Sequence, residues 1–250
     1  MPKVTSRPLA PHATLGEHYG DDAKRASYVQ SLFDETAPDY DRIEKVLAFG
    51  SGPWYRRQAL LRAGLRPGDR VLDVGIGTGL VAREALRIIG PQGSLVGVDP
   101  SPGMMGQVGL DGVELVRGYA EALPRPDSSA DLVSMGYALR HVDDVGAAFA
   151  EFRRVLRPGG RLCILEITRP RTAFGTRMLR GYMRTTVPLI ARVVGRQRHT
   201  SQLWRYYWDT IEACIAPPQV CAALEAAGFV DVRRHVELGI FSEYTATKPA

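Results

Sequence analysis

The apolar run Val71-Leu72 ends in Asp73 and passes through Val74 into Gly75-Ile76-Gly77-Thr78-Gly79. Glycines at alternate positions let the backbone turn tightly and let a ligand come close, because any side chain there would block the approach. A helix that starts after Gly79 presents free amide groups and the positive end of its dipole, which suits an anionic group. Twenty residues beyond Gly79, Asp99 closes a second apolar run. Its carboxylate has the chemistry to accept hydrogen bonds from both hydroxyls of a ribose. Together these residues outline a nucleoside cofactor site.

Dinucleotide dehydrogenases carry G-x-G-x-x-G in the same place. Here Leu80 stands where that pattern needs its third glycine, and the last glycine arrives one residue early. This spacing favours S-adenosyl-L-methionine, and hence a methyltransferase, although Asp99 suits either cofactor. Pro100 and Met104 lie where apolar groups can cover the adenine face. Tyr119, Ala120 and Glu121 end the third strand, where they can read the adenine edge, and Gly136 closes the fourth on the cofactor side. Taken alone, each of these would be ordinary packing or loop. Cys163, Cys214 and Cys221 are odd in number and have neither CxxC spacing nor a clustered histidine, so they read as reduced packing residues, with no metal site.

These residues need a scaffold that brings strand ends together. From Arg70 onward, short apolar strands alternate with helical periods, the signature of an α/β fold with a parallel sheet. The expected strands are 70–74, 94–98, 113–117, 130–135 and 161–167, with helices over 79–89 and 145–156. A further helix over 218–227 leads to strands 230–237 and 241–247, whose short connection demands an antiparallel hairpin. Before the sheet, residues 28–66 read as a helical cap broken at Pro38, with a second helix over 52–63. Residues 1–27 mix Pro, His, Gly and Asp without hydrophobic period and read as a disordered tail. Residues 28–250 are then a single domain.

At 250 residues, with 45% hydrophobic and 24% charged residues, the chain has a globular composition and the length for one substantial core. No apolar run approaches the roughly 20 residues needed to span a bilayer, so a cytoplasmic protein is expected. The net charge is +5, yet nine arginines and no Asp, Glu or Lys fall between Thr168 and Trp208. The basic character therefore belongs to a lid-like insertion, residues 169–210, after the fifth strand. Arg177, Arg180 and Arg184 fall on one helical face, opposite Met178, Leu179, Tyr182 and Met183. Two readings stay open: peripheral contact of 169–205 with an anionic membrane, or a solvated lid helix packed on the core.

The segments Val29-Gln30-Ser31-Leu32-Phe33-Asp34, Ala37-x-x-Tyr40-Asp41, the glycine loop, Ala120-Glu121-Ala122-Leu123-Pro124, Ala138-Leu139-Arg140, Arg153 to Leu162 and Leu165-Glu166 occur in order along the chain. In this the sequence resembles the prenyl-quinol C-methyltransferases of ubiquinone and menaquinone biosynthesis, from about Tyr28 to Phe229. The resemblance implies a Rossmann-like, seven-stranded, mostly parallel sheet with the last strand antiparallel and helices on both faces. It also implies methylation of a ring carbon on a small lipophilic hydroxylated aromatic. The chain departs from that pattern at Gly75-Ile76-Gly77-Thr78-Gly79, Tyr119 and Gly136 on the cofactor side. On the active side, Ile43-Glu44-Lys45 replaces Met-Asn-Asp, His141 replaces Asn after Leu139-Arg140, and Phe241-Ser242-Glu243-Tyr244 replaces a basic segment. A related enzyme acting on another natural-product acceptor, at oxygen or carbon, is the alternative.

Carbon methylation of a phenol or quinol needs an electron-rich ring, so a hydroxyl proton must leave or its oxygen's charge be held. Arg140, directly after the fourth strand, cannot serve as a base but can polarise a hydroxyl. His141, with an ordinary pKa near 6.5, can take the proton, or else simply cap or pack the strand end. Phe33, Tyr40, Tyr137 and Glu166 are expected around the acceptor. A nucleic-acid methyltransferase, a non-catalytic cofactor binder and a nicotinamide enzyme remain the other classes. The fourth strand lacks the Asp/Asn-Pro-Pro-aromatic motif of amino-group nucleic-acid methylators, so no nucleic-acid partner is expected. The oligomeric state is left open, a homodimer included.

Overall fold

In the computed structural model, which describes residues 9–47, 50–194 and 200–250, the alternating pattern from Arg70 onward yields seven strands in one sheet. They are β1 (Arg70–Val74), β2 (Ser94–Asp99), β3 (Val113–Arg117), β4 (Ala130–Gly136), β5 (Leu156–Ile167), β6 (Val230–Glu237) and β7 (Phe241–Thr247), in the order β3-β2-β1-β4-β5-β7-β6. β1 to β5 pair in parallel, and β7 runs antiparallel to both β5 and β6. The hairpin and the antiparallel last strand are as expected. Strand order reverses between β1 and β4, so the loops after β1, β2 and β4 open a crevice at the carboxyl edge.

Helices cover both faces. On one side α3 (Gly52–Arg62) and α4 (Leu80–Ile89) pack Ala59, Leu60, Ala82, Ala85 and Ile89 on the sheet. On the other, α6 (Val145–Val155) and α10 (Pro217–Ala226) bury Phe149, Phe152, Val220 and Leu224. Each such large side chain contributes about 1.5–3 kcal/mol by leaving water. β5 starts at Leu156, five residues before its expected first residue: Arg157 to Gly160 extend the strand rather than end α6. Lys248 holds this extension, since Gly159 and Gly160 exchange backbone hydrogen bonds with it.

A third cluster lies above the sheet edge. α2 (Arg25–Leu47) meets the insertion, which folds as α7 (Ala173–Gly181), a π turn (Tyr182–Thr186), α8 (Val187–Val194) and α9 (Thr200–Ala213). Leu32, Met183, Val187, Leu203, Trp204, Tyr206 and Trp208 form the shared core.

Two expectations are corrected here. Pro38 does not interrupt the first helix; α2 runs through it. The proline removes one backbone hydrogen bond, but packing holds the helix on both sides of it: Tyr40 against Trp204 and Tyr207, and Asp34 against the loop after β2. The expected disordered tail is ordered from Leu9 onward, residues 1–8 lying outside the described residues. The Leu9 carbonyl accepts from the Val145 amide at the start of α6, Pro11 accepts from Ile215, and Tyr19 is buried. Backbone pairing with distant loops holds this segment, so it shows no hydrophobic period of its own. Residues 195–199, part of the Arg-rich segment, also lie outside the described residues.

Candidate active site

The turn after β1 holds its three glycines at φ of +68°, +55° and +85° for Gly75, Gly77 and Gly79, a region that side chains rarely enter. A methyl group on Gly75 would sit 2.7 Å from the Ala138 Cβ. Gly79 caps α4, as the loop spacing predicts. The Gly77 amide donates to Asp99 Oδ2 at 2.8 Å, and the Ser101 amide donates to Oδ1 at 2.8 Å. Each carboxylate oxygen keeps a second lone pair for a ligand hydroxyl. Asp73 lies on β1 beside β4, where the Ser134 hydroxyl donates to its Oδ1 at 2.6 Å; Oδ2 is buried and has no partner. Burial pushes the Asp73 carboxyl up to about 7, helped by the charge of Asp99, and burial pushes Asp99 up to about 6 against its two amide donors.

α2 locks these loops together. Asp34 Oδ1 accepts from the Ser101 hydroxyl and from the Gly103 amide at 2.8 Å, and Asp41 accepts from the Thr78 hydroxyl. Gly103 is needed for the first contact, since a Cβ there would lie 2.8 Å from the Asp34 Cα. The two carboxylates, seven residues apart, share a helical face and tie both cofactor loops to one rod. The sequence motif contained both, but nothing in their residue type told which loop each would hold.

One cleft, about 1160 Å³ with its mouth included, joins the glycine loop to the α2 and lid surfaces. Asp99, Pro100, Met104, Tyr119, Ala120, Glu121 and Gly136 line its cofactor half. Glu121 is also structural, for its Oε1 accepts from the Asp143 amide at 2.6 Å. A side chain at Gly136 would come within 2.5 Å of Val81 Cγ2, so this edge is narrower than a serine would allow.

Phe33, Tyr40, Tyr137 and His141 line the other half, joined by Arg56 and Tyr207, which sequence reasoning missed. The Tyr40 and Tyr207 hydroxyls meet at 2.5 Å, and Phe33 stands edge-on to His141 with ring centres 5.2 Å apart. Tyr137 adopts φ +60° just past β4, and burial raises its pKa.

Asp73, Arg140 and Glu166 do not line the cleft; Asp73 is buried on β1 behind the glycine turn. Arg140 is fully buried: Nη1 donates to Glu166 Oε2 at 2.6 Å, and its guanidinium lies 4.3 Å from the centre of the Tyr207 ring. Tyr207, from the insertion, stands between Arg140 and the acceptor space, so a helix distant in sequence moves the expected polarising cation behind an aromatic wall. His141 does face the cleft. Its Nδ1 meets the Tyr206 hydroxyl at 3.2 Å, while Nε2 is buried without a partner. Burial, then Arg140, His12 and Arg25, hold its pKa well below the usual value, so it is neutral rather than poised to take a proton.

S-Adenosyl-L-methionine fits this cradle on two counts. Asp99, which lines the cleft, keeps free lone pairs, and the glycine turn admits a ligand against the backbone. Gly75, Gly77, Asp99 and Met104 would hold the cofactor, which would supply a methyl group on a sulfonium centre.

Residues 21–248 match the family model for the ubiE/COQ5 methyltransferase family. Among curated proteins, the chain is 33% identical over 214 residues to the ubiquinone/menaquinone biosynthesis C-methyltransferase UbiE of Hahella chejuensis, covering 82% of this chain and 84% of that one. It is 33% identical over 238 residues to the demethylmenaquinone methyltransferase of Symbiobacterium thermophilum, covering 90% and 94%. Among solved structures, a putative S-adenosyl-L-methionine-dependent methyltransferase from Methanococcus maripaludis shares the fold with a TM-score of 0.63 at 20% identity, over 88% of this chain and 94% of that one. A possible histamine N-methyltransferase from Thermotoga maritima does so with a TM-score of 0.61 at 22% identity, over 88% and 99%. A glycine turn that admits S-adenosylmethionine, two buried carboxylates beside it and a family match spanning nearly every residue lead to one assignment: the chain belongs to the ubiE/COQ5 methyltransferase family and is an S-adenosylmethionine-dependent methyltransferase.

Proposed function

We propose that the acceptor is a lipophilic hydroxylated aromatic, a quinol or phenol, methylated on a ring carbon. The observation that carries this reading is the aromatic wall facing the cofactor half: Phe33, Tyr40, Tyr137 and Tyr207 surround the space, with His141 edge-on to Phe33. Flat rings stack favourably there and exclude water, and the curated relatives named above bear quinone-biosynthesis names. Methyl transfer is an in-line displacement, so holding ring carbon and methyl at near-attack distance supplies much of the acceleration. In this reading Phe33, Tyr40, Tyr137 and Tyr207 orient the ring, and Arg140 with Glu166 fixes Tyr207 from behind. Incubation with a panel of reduced quinones and phenols, followed by mass and NMR analysis of the products, tests it. Carbon-methylated quinol is expected; methylation confined to oxygen, or to non-aromatic acceptors, overturns it.

A lipophilic acceptor also gives the lid a role at a membrane surface. Phe174 and Met178 are 67% and 62% exposed one helical turn apart on α7, with Arg171 and Arg177 exposed beside them. Arg180 and Arg184 contribute less than their sequence positions suggest, because they pair with Glu212 and Asp209 of α9. Among the described residues no helix is long and apolar enough to cross a membrane. Flotation with anionic vesicles should carry the protein upward, and replacing Phe174 and Met178 with serine should abolish that; flotation unaffected by the change rules out this surface.

A further inference from the structure

We propose that Arg56 holds the acceptor's ring oxygen as it takes up negative charge, in a subsite built with Glu44 and Tyr137. This rests on the reading that the acceptor is a hydroxylated aromatic. Arg56 is the only lysine or arginine among the described residues that line the cleft. It is 2% exposed, and its guanidinium lies 6.0 Å from the Tyr137 ring centre. Its Nη2 donates to Glu44, while Nε is buried with no partner. A guanidinium carries five N–H donors in a fixed fork, and a single carboxylate oxygen engages only one edge of it. A buried donor left unfilled is unfavourable until a ligand oxygen meets it, and an anionic oxygen meets it best.

Placement supports the same conclusion. Arg140, the cation the sequence points to, does not line the cleft and lies against the Tyr207 ring, which does. Arg56 reaches the cleft from α3, and His141, which also lines it, is neutral. Glu44, a positioning residue, fixes the guanidinium against Tyr137. It also stands where the family pattern has asparagine, so the pair is a feature of this chain.

The test uses 4-nitrophenol, whose anion is coloured, bound to the protein with the demethylated cofactor present so that no turnover occurs. An opposite charge within reach lowers the pKa of such a group by about 1–3 units. The bound probe should therefore ionise at least about one unit below its free value in the wild type. Arg56→Gln should remove that shift, and Arg56→Lys should keep part of it. Circular dichroism and cofactor titration establish that each variant folds. Should Arg56→Gln fail to fold, Glu44→Gln carries the test, because loss of the adjacent negative charge must lower the probe's pKa further. Equal ionisation in wild type and Arg56→Gln, or an unchanged or raised pKa in Glu44→Gln, overturns the assignment. A wild type that binds cofactor but neither 4-nitrophenol nor its methyl ether overturns the aromatic-acceptor reading itself, and this proposal with it.

Discussion

An imidazole takes up a proton near neutral pH only where water or a carboxylate can support the charge. At His141 the neighbours are Arg140, His12 and Arg25, all cationic or capable of it, and the Tyr206 hydroxyl, which carries no charge at neutral pH. A pKa held well below the usual value means that His141 is neutral at neutral pH. The pH profile of kcat should then lack an inflection near 6.5, and His141→Gln should lower the rate without changing that profile; an inflection that vanishes in the variant contradicts the assignment. Asp73 behaves in the opposite sense. Its folded pKa of about 7 lies above the unfolded value, so the cofactor-free protein binds more protons than the unfolded chain between about pH 4 and 7. That contribution to stability is present below pH 4 and lost as pH rises through 7. A cationic cofactor held at the adjoining glycine turn favours the ionised carboxylate, so cofactor affinity should rise between about pH 5.5 and 8, with release of up to about one proton per site near pH 6.5. Calorimetry in buffers of different ionisation heat reads the proton directly, and Asp73→Asn should remove most of the dependence. The glycine turn and both carboxylates were legible in the sequence, because φ above zero and strand-end position are local demands. Arg56 and Arg140 were not: each is a long side chain whose direction is set by what packs against it, Glu44 and Tyr137 for one, Tyr207 and Glu166 for the other.

Helix α2 shows how an element outside the sheet completes the site. Asp34 and Asp41 lie on one face and hold the loops after β2 and β1, while Phe33 and Tyr40 on the adjacent stripe face the acceptor. The helix therefore spaces the two halves of the cleft relative to each other. Asp34→Ala leaves the Gly103 amide and the Ser101 hydroxyl without their acceptor. A lost hydrogen bond to a charged group costs about 1.5–3 kcal/mol, so cofactor affinity should fall roughly 10- to 100-fold, with a smaller loss of global stability. Calorimetric titration beside a thermal melt separates the two, and an unaltered dissociation constant shows that the loop is held without α2. This role could not be read from periodicity. The apolar stripe predicted a helix and Pro38 argued for its end, and only the packing of Tyr40 on Trp204 and Tyr207 shows why it continues. The lid illustrates the same limit. Leu179, Tyr182 and Met183 pack inward as their spacing predicts, whereas Met178 is exposed because α7 meets α9 through Arg180 and Glu212.

Across the whole molecule, the segment from Leu9 to Arg25 joins parts that the sheet does not connect. Leu9 pairs with Val145 and with Asp144 at the start of α6, and Pro11 accepts from Ile215 just before α10. His18 bonds Asp209 of the lid at 2.9 Å, and Arg25 donates to the Val142 carbonyl at 2.9 Å, beside the turn that carries His141. One strap thus spans the two helices on one face of the sheet, the lid and the acceptor turn. A protein lacking residues 1–20 loses the first four of these contacts and the buried Tyr19, and leaves the Val145 and Ile215 amides without protein acceptors. A loss of about 2–4 kcal/mol follows from those groups together. At about 2–4 °C per kcal/mol for a domain of this size, the melting temperature should fall by roughly 4–16 °C. The glycine loop remains tied to Asp34 and Asp41, so cofactor affinity should change less than threefold. The lid, freed from His18, should become more sensitive to proteolysis within α7 and α9. A melting temperature within about 1 °C of the full chain, together with unchanged lid proteolysis, would mean that the strap rests on the surface without binding its parts together, and that the lid is held by α2 alone.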